Sequence, residues 1–178
     1  MGVLIFIIIV IVVIVIMTKP KDYTPKKGSM QENRIKMQLY QEVDDITTKC
    51  FDERTMEFNS DLYFENRFIY EGCGYPEVVE YMKKNLQYIG YRQIYSINLL
   101  LETYDPDTIL SELQKRRWTI LLNLEWICGG GDGKNCPEYI IKYRHELLGM
   151  LDGKISCTKE NAKRSISEYE SNKKLVAN

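Results

Sequence analysis

The sequence lacks most of the residue patterns on which enzyme active sites are built. It contains a single histidine, His145, and no G-x-S-x-G nucleophile motif. A catalytic cysteine would need that one histidine as its base, and no pair of carboxylates has a spacing that argues for acid–base chemistry. These absences favour a protein that is not an enzyme and that has no small-molecule substrate.

A basic excess is also absent, since 24 Lys and Arg residues stand against 25 Asp and Glu residues and the net charge is −1. Proteins that bind nucleic acid draw much of their affinity from clustered positive charge. The charge balance therefore argues against a nucleic-acid partner.

The cysteine spacing gives no support to a metal site. The chain has five cysteines: Cys50, Cys73, Cys128, Cys136 and Cys157. Structural zinc sites commonly use cysteine pairs separated by two to four residues, whereas the closest pair in this chain is separated by seven. A calcium loop fails as well, because Asp132 and Asn135 are not followed by further oxygen ligands. We expect neither a metal nor a cofactor.

The segment CGGGDGKNC, residues 128–136, is the most informative short stretch. Its glycines and lysine are similar to those of a phosphate-binding loop. Alignment on Gly133 and Lys134, however, places Cys128 where that motif needs glycine and Asn135 where it needs Ser or Thr. The segment before it is also predicted to be a helix rather than a strand, so this interpretation is rejected.

The same segment fits the turn of a helical hairpin closed by a disulfide between Cys128 and Cys136. Glycines allow the chain to reverse in left-handed conformations, and the facing ends of two antiparallel helices lie close enough for a disulfide. Asp132 and Lys134 would then lie at an exposed tip, as candidate contacts for a partner protein.

The other cysteines permit a second crosslink. A disulfide between Cys50 and Cys73 would close the aromatic-rich segment between them, and Cys157 would remain unpaired or replace one of the others. The sequence leaves this connectivity open.

Residues 1–17, MGVLIFIIIVIVVIVIM, are apolar throughout and predict a transmembrane anchor. As a helix they would span roughly 25 Å, close to the thickness of the hydrocarbon core of a bilayer. No basic region precedes them and no small-x-small cleavage pattern follows, which favours an uncleaved anchor over a signal peptide. Residues 18–34 are predicted to be a basic juxtamembrane linker. Its first lysines are Lys19, Lys21, Lys26 and Lys27.

The signals for membrane orientation disagree. The basic linker after the anchor places the domain in the cytoplasm by the positive-inside rule, and no Asn-x-Ser/Thr sequon is present. The five cysteines favour an oxidising compartment instead. We favour an extracytoplasmic domain and keep the cytoplasm-facing orientation open.

The chain after the linker predicts a mainly α fold. Residues 35–170 are interpreted as a single disulfide-bearing domain and residues 171–178 as a frayed tail. A first helix is predicted from Ile35 onward. Pro76 begins a second, and Gly90 is expected to end it.

Two further helices are predicted to form an antiparallel αα-hairpin over residues 106–151. Asp105 as N-cap and Pro106 at the first helical position begin a helix of five to six turns that reaches Gly129. Pro137 begins the return helix.

Three further features are predicted. Aromatic-rich residues 51–73 indicate a minor extended or β segment of two or three short strands. The basic triplet at 115–117 is interpreted as a solvated helix face. Thr158 is expected to cap a last helix, whose apolar residues are Ala162, Ile166 and Tyr169.

The overall layout resembles that of a family of viral proteins. An apolar anchor, VLIFIIIVIVVIVIM, is followed directly by a basic stretch, KPKDYTPKK, and then by a small cysteine-bearing domain. This plan is similar to that of envelope proteins of large insect DNA viruses, of the per os infectivity factor type. The resemblance covers the first 30 residues and the general plan, and no functional residue carries over.

The resemblance implies a single-pass protein of the virion envelope, acting in an entry complex with other membrane or envelope proteins. In such proteins a basic cluster after the anchor is associated with sorting to the inner nuclear membrane, which would reconcile the linker lysines with an extracytoplasmic domain.

Two alternatives stay open beside it. One is a cellular anchored or secreted disulfide-bearing protein that serves as a ligand or receptor accessory. The other is a cytoplasm-facing membrane adaptor whose thiols are reduced. All three are interaction or structural proteins without enzymatic activity.

Overall fold

The computed structural model describes residues 25–52, 54 and 57–177. Within these residues the chain is mainly helical and has a single small sheet, which confirms the predicted fold class at this level. The helices are α1 (Met30–Cys50), α2 (Ser60–Glu71), α3 (Pro76–Thr103), α4 (Pro106–Lys115), α5 (Leu124–Cys128), α6 (Glu138–Leu151) and α7 (Lys159–Ala177). A π-helical turn at Arg117–Leu121 separates α4 from α5.

The predicted anchor, residues 1–17, lies outside the described residues, as do Lys19 and Lys21. No helix among residues 25–177 is long and apolar enough to cross a membrane. Lys26 and Lys27 are described and exposed. The described residues up to Ile35 group into one unit and those from Lys36 onward into a second, which contains the hydrophobic core.

The core of the second unit consists of two hydrophobic clusters that share α3. The larger cluster joins the C-terminal half of α3 to α4, the π-helical turn and helices α5 to α7. The smaller cluster joins the N-terminal half of α3 to α1, the strands, α2 and Ile127. Residues at the centre of the larger cluster include Ile97, Leu101, Ile109, Leu113, Ile120, Leu124 and Leu147. Those of the smaller cluster include Val43, Phe58, Tyr63, Val78, Met82 and Leu86.

Helix α3 begins at Pro76 as predicted, but the expectation that it ends at Gly90 is wrong. The helix continues for 13 residues beyond that glycine, to Thr103. The physical reason is the crossing of α5. A Cβ atom at position 90 would lie 2.7 Å from Cys128 Sγ and 3.3 Å from the backbone nitrogen of Cys128. The glycine therefore permits a close helix crossing rather than a helix end.

The predicted continuous helix from Pro106 to Gly129 is interrupted. Asp105 caps α4 as expected, with Oδ1 accepting the N–H of Thr108 at 3.0 Å. The helix then widens into the π-helical turn, in which the Leu122 N–H donates to the Arg117 carbonyl five residues earlier at 3.1 Å. The two arms of the predicted hairpin nevertheless pack together, because α6 contacts α4, the π-helical turn and α5.

An ion pair and a hydrogen bond join this interruption to other elements. Arg117 pairs with Asp152 just beyond α6 at 2.7 Å, and Arg116 donates to Ser96 Oγ of α3 at 3.4 Å. Of the basic triplet, only Lys115 lies on a solvated helix face.

The prediction for residues 51–73 is confirmed in its first part and wrong in its second. Strands β1 (Phe51–Asp52) and β2 (Glu57–Phe58) pair antiparallel, with Phe51 opposite Phe58. Residues from Ser60 onward form α2 instead of a further strand. The reason is local, since Asn59 Oδ1 accepts the N–H of Leu62 at 3.0 Å and so caps a helix.

The C-terminal helix follows the sequence prediction. Thr158 Oγ1 accepts the N–H of Asn161 at 3.1 Å, and the three apolar residues expected on its inner face, Ala162, Ile166 and Tyr169, are buried. The helix extends to Ala177, through the residues interpreted as a tail.

Candidate interaction surface

All five cysteines are free thiols in the structure. The pairings Cys128–Cys136 and Cys50–Cys73 are thus not formed in it, and they stay predictions for the oxidised protein. Cys128 is 1% exposed in the larger cluster, and Cys136 packs against the same cluster. Burial raises the pKa of the Cys128 thiol well above its usual range, and burial raises the pKa of Cys136 to about 11. Neither thiol is therefore an effective nucleophile at neutral pH.

Two of the remaining cysteines share this character. Burial raises the pKa of Cys50 to about 11 and also raises the pKa of half-buried Cys157, whose Sγ donates to the Pro106 carbonyl at 3.6 Å. Cys73 is half-buried beside Tyr75.

The glycine-rich loop is folded onto α3. Gly130, Gly131 and Gly133 have positive φ angles of 74°, 89° and 71°, so they do reverse the chain as predicted. The N–H groups of residues 129–131 donate to carbonyls of α5, which leaves them unavailable to a phosphate group. A Cβ at Gly130 would lie 3.2 Å from the Lys83 side chain of α3. Residues 129–131 of the loop therefore form a buried turn rather than an anion cradle.

The two candidate contact residues lie at the outer end of this loop. Asp132 Oδ1 accepts the Lys134 N–H at 3.1 Å, which closes the tip, and the Lys134 side chain is exposed. Their role as a partner contact stays a prediction.

His145 lies exposed on α6, in an open groove beside Tyr139, Lys142 and Leu175. Among residues 25–177 that the structure describes, no three His, Cys, Asp or Glu side chains come together in a way that could hold a metal ion.

The feature that the sequence prediction missed is an exposed stripe on the second half of α3, which we call the α3 stripe. Three large side chains form it, and they remain accessible to solvent by 63% at Tyr88, 72% at Tyr95 and 52% at Leu99. Their spacing of seven and four residues places them on one side of the helix, along roughly 16 Å. The guanidinium of Arg92 lies between them in sequence and stacks over the Tyr88 ring at 5.9 Å.

The α3 stripe begins where α1 ends. Helices α1 and α3 run side by side, with Lys36 paired to Glu77 at 2.5 Å and Asp44 accepting the Tyr81 hydroxyl at 2.8 Å. The end of α1 at Cys50 lies close to Ile89 in the smaller cluster. Beyond this level α3 continues for about four turns with its outward side uncovered.

The opposite side of α3 supplies the core, so the helix is apolar on two sides. Ile94, Ile97 and Leu101 are buried while Tyr95 and Leu99 are exposed. The signal was visible in the sequence as a second set of large apolar residues between the core positions.

No known protein family matches this chain, and no similar protein was found among curated proteins or among solved structures.

Proposed function

We propose that this chain is a non-enzymatic, membrane-anchored protein that works through protein–protein contacts made by the α3 stripe. The observation that carries the proposal is the exposure of Tyr88, Tyr95 and Leu99 beside Arg92 on one side of a rigid helix. Tyr and Arg are enriched at the energetic centres of protein interfaces, where they combine apolar contact area with hydrogen bonding.

The rest of the described chemistry supports the same conclusion. The buried thiols have raised pKa values, and the loop N–H groups are used within the loop and α5. An interface residue needs only a rigid scaffold, and α3 provides one because its inner side is fixed in both hydrophobic clusters.

The setting that we propose is the envelope of a large insect DNA virus, with this chain as a subunit of an entry complex. The support is the layout of the N-terminal segment, in which the apolar run at 1–17 is followed by Lys19, Lys21, Lys26 and Lys27. An anchor would also hold the α3 stripe near other envelope proteins and so raise their effective concentration.

Site-directed photo-crosslinking tests the proposal. The full chain is expressed in cultured insect cells, with and without infection by an occlusion-forming DNA virus, carrying a photoreactive phenylalanine at Tyr95 or at Lys163. Lys163 is the matched control, because it is exposed on a different helix, α7.

We expect the chain in the membrane fraction and protein adducts at position 95 but not at position 163. Equal labelling at both positions, or a chain found only in the soluble fraction, would overturn the proposal. Absence of the chain from purified virion envelopes would overturn the viral setting alone.

The basic linker after the apolar run favours a second candidate, a cytoplasm-facing membrane adaptor, because the positive-inside rule places such a linker in the cytoplasm. To distinguish the two candidates, the membranes are dissolved in denaturant that contains an alkylating reagent and no reductant. The modified cysteines are then identified by mass spectrometry. Complete alkylation of Cys128 and Cys136 in the unfolded chain without reduction supports the adaptor, whereas modification only after reduction supports an extracytoplasmic domain.

A further inference from the structure

We propose that the occupant of the α3 stripe is the same stripe of a second copy of this chain, packed antiparallel about a two-fold axis. This inference rests on the proposed function and adds the identity and the register of the partner. Its basis is the order of charges along α3.

Two exposed charges of opposite sign bracket the stripe. Lys84 lies one turn before Tyr88, and Glu102 lies three residues after Leu99. The two positions are 18 residues apart, which is about five full turns of an α-helix, so both side chains leave the helix in the same direction. The stripe therefore has a positive end and a negative end on one side.

An antiparallel pair uses this arrangement twice. A two-fold axis between residues 93 and 94 places Tyr88 opposite Leu99 of the second copy, and Lys84 within one residue of Glu102 of the second copy. It also brings Tyr95 close to Arg92 of the second copy, where the guanidinium can stack on the ring. A parallel pair would instead face Lys84 with Lys84 and Arg92 with Arg92, which repel each other.

The stripe is accessible between the elements that flank it. On one side Tyr91 and Tyr139 hydroxyls lie 3.4 Å apart and join α3 to α6. On the other side Arg116 contacts Ser96. A helix-in-groove arrangement is common in protein recognition, and here the second α3 would continue the packing that α1 provides for the first half of the helix.

The contact area indicates a weak dimer that depends on the membrane. From their exposed fractions, Tyr88, Tyr95 and Leu99 offer roughly 350 Å² per copy. Two copies thus bury roughly 700 Å² through these side chains, less than the ~1,200 Å² typical of a stable interface. Confinement of both chains to one membrane raises their effective concentration and offsets this deficit.

A charge-swap series in vesicles tests the proposal. The full chain is reconstituted in phosphatidylcholine vesicles as donor-labelled and acceptor-labelled copies, and energy transfer is measured as the protein-to-lipid ratio is varied. The variants are Lys84→Glu, Glu102→Lys, the double variant, and Tyr95→Ala. Lys163→Glu on α7 is the control for a change of net charge, and far-UV circular dichroism checks that each variant is folded.

We expect each single charge change to weaken association about tenfold, because two rim ion pairs are replaced by two repulsions. The double variant should return to within about threefold of the unchanged protein, and Tyr95→Ala should weaken association more than tenfold. Lys163→Glu should change nothing.

The proposal is overturned if energy transfer is absent, if the single charge changes leave it unaltered, or if the double variant fails to restore it. These outcomes are distinct from failure of the proposed function. Crosslinking of position 95 to a different protein, with no energy transfer between copies, would reject the homodimer and leave the interaction role standing.

Discussion

Gly90 provides the sharpest test of how the helices pack, because α3 and α5 cross at this residue without room for a methyl group. A Cβ atom there would lie 2.7 Å from Cys128 Sγ, 3.1 Å from Ile127 Cγ2 and 3.3 Å from the backbone nitrogen of Cys128. Both neighbouring residues are buried, and one of the contacts is with backbone. The substitution Gly90→Ala must therefore push α3 and α5 apart.

Two effects of opposite sign determine the result. Alanine favours the helix over glycine by about 1 kcal/mol, whereas an extra methylene in a well-packed core costs about 1–3 kcal/mol. One contact is with backbone and two are with side chains that are fully buried, which places the cost near the upper end of that range. We expect Gly90→Ala to lower the free energy of unfolding by about 1–2 kcal/mol, which corresponds to a fall in Tm of roughly 3–8 °C for a chain of this size.

Thermal unfolding of the full chain in nonionic detergent, followed by far-UV circular dichroism, measures this change. Gly149→Ala is the matched control. That glycine is also inside a helix, but the three atoms nearest to a Cβ there all belong to the Ile155 side chain. The nearest is its terminal Cδ1 at 2.8 Å, which can move. The control should be close to neutral.

Adding Cys128→Ala to Gly90→Ala removes the shortest contact, so the double variant should lose less stability than the sum of the two single changes. A rise in Tm for Gly90→Ala would refute the reasoning. It would mean that position 90 has room for a side chain and that α5 does not cross α3 at this point.

Three further predictions concern Arg144, Asp105 and Cys128. Arg144 is 16% exposed and donates to the Leu121 carbonyl and to Glu125. Arg144→Met should therefore lower the free energy of unfolding by about 1.5–3 kcal/mol, as measured by chemical denaturation. Arg144→Lys should restore only part of this loss. Hydrogen bonds from the first turn of α4 lower the pKa of Asp105. The stabilisation they give is complete above the ordinary Asp pKa and is lost as the pH falls through the lowered value. Asp105→Ser should therefore remove part of the decrease in Tm below about pH 4. In reduced, folded protein at neutral pH, Cys128 should be the slowest thiol to react with iodoacetamide, as measured by peptide mass spectrometry. A reaction rate equal to that of the half-buried cysteines would contradict its burial.

The sequence predicted the helix starts well because their causes are local. Pro76, Pro106, Asp105 and Thr158 act on the backbone within one turn, and each begins a helix or caps one in the structure. Asn59 carries the same kind of signal, but the aromatic content around it suggested strands.

Features set by distant contacts could not be predicted in this way. A glycine after an apolar helical pattern is typical of a helix end, yet the role of Gly90 depends on Cys128, 38 residues later. The interruption of the helix at Arg117–Leu121 is accompanied by a contact from Arg144, which donates to the Leu121 carbonyl at 2.9 Å. That same contact explains why α6 has an arginine on its otherwise apolar side.

The α3 stripe was missed for a different reason. Its residues fit helical spacing as well as the core residues do, so Tyr95 and Ile94 are equally credible as core from sequence alone. Only the positions of the neighbouring helices decide which of the two is buried.

The parallel arrangement of α1 and α3 also gives the domain an unequal resistance to mechanical force. α1 contacts α3 through the smaller cluster and a few polar contacts such as Asp44 with Tyr81, whereas the inner side of the second half of α3 packs in the larger cluster with α4, the π-helical turn and helices α5 to α7. Tension transmitted from the N-terminal side of the chain would detach α1 first and leave the larger cluster folded. Tyr81 and Asn85, whose side chains donate to Asp44 of α1, would then be uncovered next to Tyr88, so detachment of α1 would lengthen the exposed side of α3.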